Sequence, residues 1–174
     1  MEQEEYLQGG RVIITAGRSL MALVAAHSLC KKGIEVIGAD CLTPNLLSLS
    51  RYTSAHEFYT NPEKSPEEFL LDLKNIISKH RPDDNRPYVL MPIFRESSLI
   101  IKHQDALSSK ITIACPTKRA YDSVHPKQKL AVTARKLDIP IPKTFLPANE
   151  EDLPQVEESF SFPFLMKPYD ASGG

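Results

Sequence analysis

The opening of the chain constrains its fold most: two buried strands lie either side of a single helix, with almost no loop between them. Residues 11–17, "RVIITAG", form a β-branched run that closes on glycine, the pattern of a buried strand. Ser19 is placed to cap a helix in which Leu20, Leu23, Val24 and His27 share one face. Gly33 ends that helix, and residues 34–40, "IEVIGAD", are a second apolar strand. Strands joined through a helix by such short connections pair in parallel, as a βαβ unit.

The alternation continues. "TPNLLSLSRYT" is irregular and rich in turn formers, and "HEFYT" predicts a short strand. "SPEEFLLDLKNIISKH" predicts a helix with Ser65 as N-cap, Pro66 at the first helical position and Glu68 completing a capping box. Its apolar stripe is Phe69, Leu70, Leu73, Ile76 and Ile77. "YVLMPI" is the next strand, "ESSLIIKHQDAL" a helix, and "KITIAC" a strand closed by Pro116. Two helices should follow, over "TKRAYDS" and over "PKQKLAVTARKL", where Leu130, Ala131, Ala134 and Leu137 share a face. Prolines 140 and 142 make "DIPIPKTFLP" extended. "EEDLPQVEESF" reads as a short acidic helix interrupted by Pro154, and "FPFLMKP" as a closing strand. The expected fold is α/β, a parallel sheet with helices on both faces, over residues 1–125. Residues 126–174 read as the start of a second, α+β unit.

The totals narrow the function. A net charge of −1 leaves no excess of basic residues to neutralise phosphates, so no nucleic-acid partner is expected. No apolar run approaches the length that spans a bilayer, so no membrane partner is expected either. The start, "MEQEEYLQGG", is acidic and lacks a signal-peptide pattern, and Cys30, Cys41 and Cys115 are scattered; both fit a cytoplasmic protein. The histidines show no metal-ligating spacing.

A parallel sheet opening on "TAGRSLMA" invites comparison with the G-x-G-x-x-G/A dinucleotide fingerprint, with Asp40 at the end of the second strand. Gly17, Ser19 and Ala22 occupy its three places. Ser19 puts a β-carbon where backbone must approach a pyrophosphate, so a capped strand–helix turn explains the segment better than a dinucleotide-binding Rossmann domain.

Two later segments point elsewhere. "PKQKLAVTARKLDIPIPKT" resembles the stretch of ATP-grasp proteins that runs from a lysine through a helix to a G-I-P-x-P turn. "FPFLMKPYDASGG" resembles that family's next signature, an apolar strand, a Lys-Pro pair and a serine- and glycine-rich loop. The preceding α/β region is similar to the N-terminal domain of carbamoyl-phosphate-synthase-like and biotin-carboxylase-like members. Within it, "LSRYT" and "MPIFRES" resemble segments that approach the acceptor substrate. The chain departs from the family at Pro126, commonly aspartate, at Asp138, commonly glycine, and at Ser97, commonly acidic.

The resemblance implies an ATP-dependent ligase that phosphorylates a small carboxylate and passes the acyl phosphate to an amine or similar nucleophile. It implies ATP and Mg2+ in the complete protein, with Lys127, Lys167, Ser172, Gly173 and Gly174 holding ATP. It makes Arg51, Tyr52, Pro92 and Glu96 pocket-facing, and it puts the catalytic and magnesium-binding residues after Gly174. On this reading the chain is the N-terminal portion of a ligase, cut in the glycine-rich loop and inactive alone; a homodimer is compatible with it. The alternative is a standalone small-ligand-binding or interaction module using the carboxyl ends of the strands.

Overall fold

The computed structural model of the chain describes residues 9–125 and 127–167. The chain divides into two compact units, Met1–Pro116 and Thr117–Gly174.

The first unit is a five-stranded, wholly parallel sheet. Its strands are β1 (Arg11–Ile14), β2 (Glu35–Asp40), β3 (Ala55–Phe58), β4 (Tyr88–Met91) and β5 (Thr112–Ile113), in the order β3-β2-β1-β4-β5. The central strand β1 carries a different core on each side because successive side chains point to opposite faces. Ile13, with Ile37 and Ala39 of β2, packs under α2 (Pro66–Lys79), α3 (Glu96–Lys102) and α4 (Asp105–Ser108) through Phe69, Leu73, Ile76, Ile77, Ile100 and Leu107. Val12, Ile14 and Val36 face Ala22 and Ala26 of α1 (Leu20–Cys30), together with Leu47. Helices thus cover both faces, as the apolar strand runs predict. Each fully buried aliphatic or aromatic side chain contributes about 1.5–3 kcal/mol.

Helix α1 sits on the sheet through its alanines, which allow close approach, so Leu20, Met21 and Val24 remain exposed. Its N-cap is as expected: the Ser19 hydroxyl accepts from the Ala22 amide at 3.1 Å. The C-terminus closes with Gly33 in the left-handed region, φ 74°, where only glycine is unstrained.

The irregular segment after β2 is more ordered than its composition suggests. The Asn45 side chain accepts from the Ser48 amide and donates to the Leu42 carbonyl, and this turn buries Leu47 completely. A β-carbon on Gly38 would lie 2.9 Å from Cβ of Leu47, and one on Gly17 would lie 2.9 Å from Oδ1 of Asn45. Both glycines therefore make room for this segment, and Gly17 serves internal packing.

Four local expectations change. Ser65 stands at the N-cap of α2 but makes no side-chain capping bond; at φ −145°, ψ 88° its backbone does not aim the hydroxyl at the first turn, and the cap is carried by its carbonyl, which accepts from Phe69 N. The single helix expected over "ESSLIIKHQDAL" breaks at His103 into α3 and α4. Pro154 starts a helix instead of interrupting one, because its missing N–H is tolerated in the first turn. The strand expected over "FPFLMKP" is absent from the described residues up to Lys167: strands form only in pairs, and the described part of this unit offers no other strand.

The second unit contains α5 (Lys118–Val124), α6 (Lys127–Lys136), a 3-10 turn (Glu150–Asp152) and α7 (Pro154–Ser159). Thr133 and Lys129 of α6 donate to the carbonyls of Ser123 and Asp122 at the end of α5. Asp138, which follows α6, takes φ 53°, the conformation a glycine would adopt without strain.

Candidate functional site

In an open parallel sheet, ligands bind at the carboxyl ends of the strands where the strand order reverses. Here the reversal falls between β1 and β4, since β1 is followed outward by β2 on one side and by β4 on the other. The two strand ends are joined there: Thr15 N donates to the Met91 carbonyl at 3.3 Å, and Ile93 N donates to the Thr15 hydroxyl at 3.0 Å.

Two non-glycine residues at this point lie in the left-handed region, Ala16 at φ 54° and Phe94 at φ 67°. Each such residue costs about 1–3 kcal/mol and persists only where its surroundings hold it. What holds Ala16 is Tyr59, whose hydroxyl accepts from Ala16 N at 3.0 Å and donates to Glu96 Oε1 at 2.7 Å.

The centre of the site is Arg18. Its guanidinium donates to Asp40 Oδ1 at 2.6 Å and to Glu96 Oε1 at 3.0 Å. Its backbone N–H donates to Asp40 Oδ2 at 2.5 Å, and Leu42 N donates to Asp40 Oδ1 at 3.1 Å. Both carboxylates are fully buried, whereas the Arg18 side chain is 28% exposed. One guanidinium thus faces two buried acids, and Glu96 Oε2 is buried without a hydrogen-bond partner among the described residues. A buried polar atom without a partner is costly, which makes Glu96 a position to explain.

Burial alone would lower the Arg18 pKa, but Glu96 and Asp40 outweigh it and raise it, so this cation is permanent. Burial, reinforced by the charge on Glu96, raises the Tyr59 phenol, which stays a neutral donor. Burial also raises the Cys41 thiol, against the opposing pull of Arg18.

Beside this network is a cleft of about 220 Å³, lined by residues that include Arg18, Cys41, Asn61, Glu63, Phe94 and Arg95. Phe94 takes both guanidiniums against its ring, Arg18 at 5.9 Å and Arg95 at 5.7 Å from the centroid. Arg95 is ion-paired with Glu63. A strained aromatic residue and two arginines, one of them anchored behind the cleft by buried carboxylates, make a place to hold and orient a small polar molecule.

The residues singled out from the sequence distribute as follows. Glu96 is in the network, and Pro92 immediately follows β4. Tyr52 packs its ring against His27 of α1 at 4.6 Å, and the exposed Arg51 lies over the Tyr52 ring; neither lines the cleft. Lys127 begins α6, Lys167 is exposed, and Ser172, Gly173 and Gly174 lie outside the described residues. Sequence reasoning missed Arg18 and Tyr59, and considered Asp40 only in the comparison with a dinucleotide fingerprint. The signal for Arg18 and Asp40 was a charge at the end of each apolar strand. Among the described residues no group of three or more His, Cys, Asp or Glu side chains could hold a metal ion, and no helix is long and apolar enough to cross a membrane.

No protein-family model matches the chain, and no curated protein matches it. Among solved structures it is similar to glycinamide-RNase-transformylase T from Mycobacterium tuberculosis, at 20% identity and a TM-score of 0.57 over 84% of this chain. The match spans 38% of that enzyme's chain. This likeness shows a shared α/β fold. The epimerase Mth375 from Methanothermobacter thermautotrophicus aligns over 99% of the chain and 46% of its own, at 15% identity; its TM-score of 0.41 adds nothing to the fold assignment.

Proposed function

We propose that the chain is the front part of an ATP-dependent ligase of the ATP-grasp type, and that its first unit holds the small acceptor molecule at the β1–β4 switch point. The observation that carries this reading is the Arg18–Asp40–Glu96 network, with both carboxylates buried, beside a cleft where such sheets bind ligands. The fold shared with the transformylase and the two lysine segments support it.

In this reading the ligase phosphorylates a small carboxylate and passes the acyl group to an amine or similar nucleophile. Lys127 and Lys167 pair with the ATP polyphosphate, and the amides after Ser172 form an anion-binding nest. Among the described residues no group of three or more His, Cys, Asp or Glu side chains could hold a metal ion; the resemblance puts the Mg2+ ligands after Gly174. Unit one contributes orientation: the fixed cation at Arg18, itself anchored by the buried Asp40 and Glu96, holds the reacting molecule in one pose, which removes much of the entropy of bringing reactants together.

Reading the coding DNA past the Gly174 codon tests this. An open frame that runs through a glycine-rich loop to spaced glutamate and asparagine residues is the expected result. A stop codon directly after Gly174 overturns the ligase reading for this chain. One observation favours a second reading, a small-ligand-binding module: the described residues that line the cleft all belong to the first unit.

A further inference from the structure

We infer that Glu63 is a built-in competitor for the ligand: it occupies Arg95 in the cleft and is displaced by a carboxylate or phosphate group of the molecule that binds there. The inference rests on the cleft being the ligand site, and it adds the chemical class of the ligand and the residue that reads it.

The two cations lining the cleft differ in what they can exchange. Arg18 is tied to two fully buried carboxylates, and withdrawing it would strand both charges. Arg95 is tied to Glu63, 32 residues away in sequence, with both partners substantially exposed, at 41% and 56%. An exposed pair of this kind is worth only about 0.2–1 kcal/mol, so a better-placed anion replaces it easily. The two residues come from different connections, Glu63 from the β3–α2 loop and Arg95 from the β4–α3 loop, and both line the cleft.

Phe94 makes Arg95 ready for that exchange. Its ring lies beneath the Arg95 guanidinium while its other contact is with the immobile Arg18, so the Arg95 fork is already oriented. A planar fork with fixed orientation suits the two oxygens of a carboxylate or phosphate. The left-handed backbone of Phe94 is then the strain that keeps the ring between the two cations.

The test uses the whole chain, with amide NMR at constant low ionic strength to follow residues around the cleft while inorganic phosphate or acetate is added. Glu63→Gln should tighten one of the two anions about 2–5-fold, the worth of the exposed pair. Arg95→Gln should weaken it about tenfold or more in either background, as loss of a charged hydrogen bond does. Glu67→Gln makes the same charge change on an exposed residue outside the cleft lining and should leave the affinity unaltered. A gain for phosphate alone identifies a phosphorylated ligand, and a gain for acetate alone a carboxylate. If Arg95→Gln weakens binding but Glu63→Gln does not tighten it, the competitor role is overturned while the cleft stands as the ligand site. If neither anion moves the cleft amides in any variant, both readings are overturned.

Discussion

Arg18 reaches from the β1–α1 turn to Glu96 at the start of α3, 3.0 Å away, and so ties together elements 78 residues apart across the switch point. The same guanidinium holds Asp40 at the end of β2. One side chain therefore fixes the carboxyl ends of three strands relative to one another.

Removing that side chain should be felt throughout the first unit. Arg18→Met leaves two fully buried carboxylates without their cation, a loss of about 3 kcal/mol after allowing for the partial exposure of the arginine. Arg18→Lys should recover little, because a single ammonium cannot bridge both acids with the geometry of a planar fork. Urea unfolding of the two variants against the parent checks both statements; equal stability of Arg18→Lys and the parent would contradict the bridging role.

Tyr59→Phe keeps the ring and its edge-on contact with Phe69, at 5.0 Å between centroids, and deletes only the hydroxyl. It leaves Ala16 N without its acceptor and removes a donor from Glu96. The expected loss is about 1–3 kcal/mol, the cost of orphaning a buried donor. Because Ala16 is held in a strained conformation, its amide should also exchange with solvent faster in the variant, which hydrogen exchange measures directly.

Much of this architecture was legible in the sequence, and the centre of the site was not. Strand and helix positions follow from local periodicity, and Ser19 and Gly33 do at the ends of α1 what their residue types predict. Glu96 was recognised through "MPIFRES". Its partners were not, because Arg18, Asp40 and Tyr59 meet it only through the strand order β3-β2-β1-β4, which no local pattern encodes. Leu47 was hidden for a related reason: its burial depends on two glycines, at 17 and 38, lying under the loop that carries it. Ser65 failed in the opposite sense, having the right residue type but the wrong backbone angles for its hydroxyl to cap.

Gly38→Ala tests the nesting of Leu47. The added β-carbon would lie 2.9 Å from Cβ of Leu47, closer than such atoms come, so the 45–48 turn must move. Overpacking of this kind costs about 1–3 kcal/mol. A combined Gly38→Ala, Leu47→Gly variant should lose less than the two single losses added together, because removing the β-carbon of Leu47 relieves the contact. Additive losses in urea unfolding would show that Leu47 is not the obstacle.

Acid should weaken the first unit partly through Glu57. Burial opposes its charged form, but hydrogen bonds from Lys79, at 2.8 Å, and His80, at 2.7 Å, outweigh it and hold the carboxyl below its usual value near 4.5. A carboxyl depressed on folding contributes stability that is complete above the unfolded pKa and is lost as pH falls through the folded one. Unfolding midpoints measured from pH 6 to pH 3 should therefore drop below about pH 4.5. Glu57→Gln should flatten that drop; an unchanged slope would assign it to other carboxylates, of which Glu35, depressed by Arg11, is the next to test.

Asp138 is the position where a single substitution should stabilise the second unit. The helix α6 ends there in a left-handed residue, with Asp138 N donating to Arg135 O at 3.2 Å and Ile139 N donating to Ala134 O at 2.9 Å. This pattern closes helices most often on glycine, since a β-carbon crowds the following carbonyl in the left-handed conformation. Asp138→Gly removes that crowding but admits more freedom in the unfolded chain, which offsets part of the gain. The net should be a stabilisation of about 0.5–1 kcal/mol. Hydrogen exchange at the last turn of α6 reports it locally: slower exchange in Asp138→Gly is the expected outcome. Faster exchange would mean that the carboxylate itself sustains the turn, and that the aspartate is there for its side chain and not despite it.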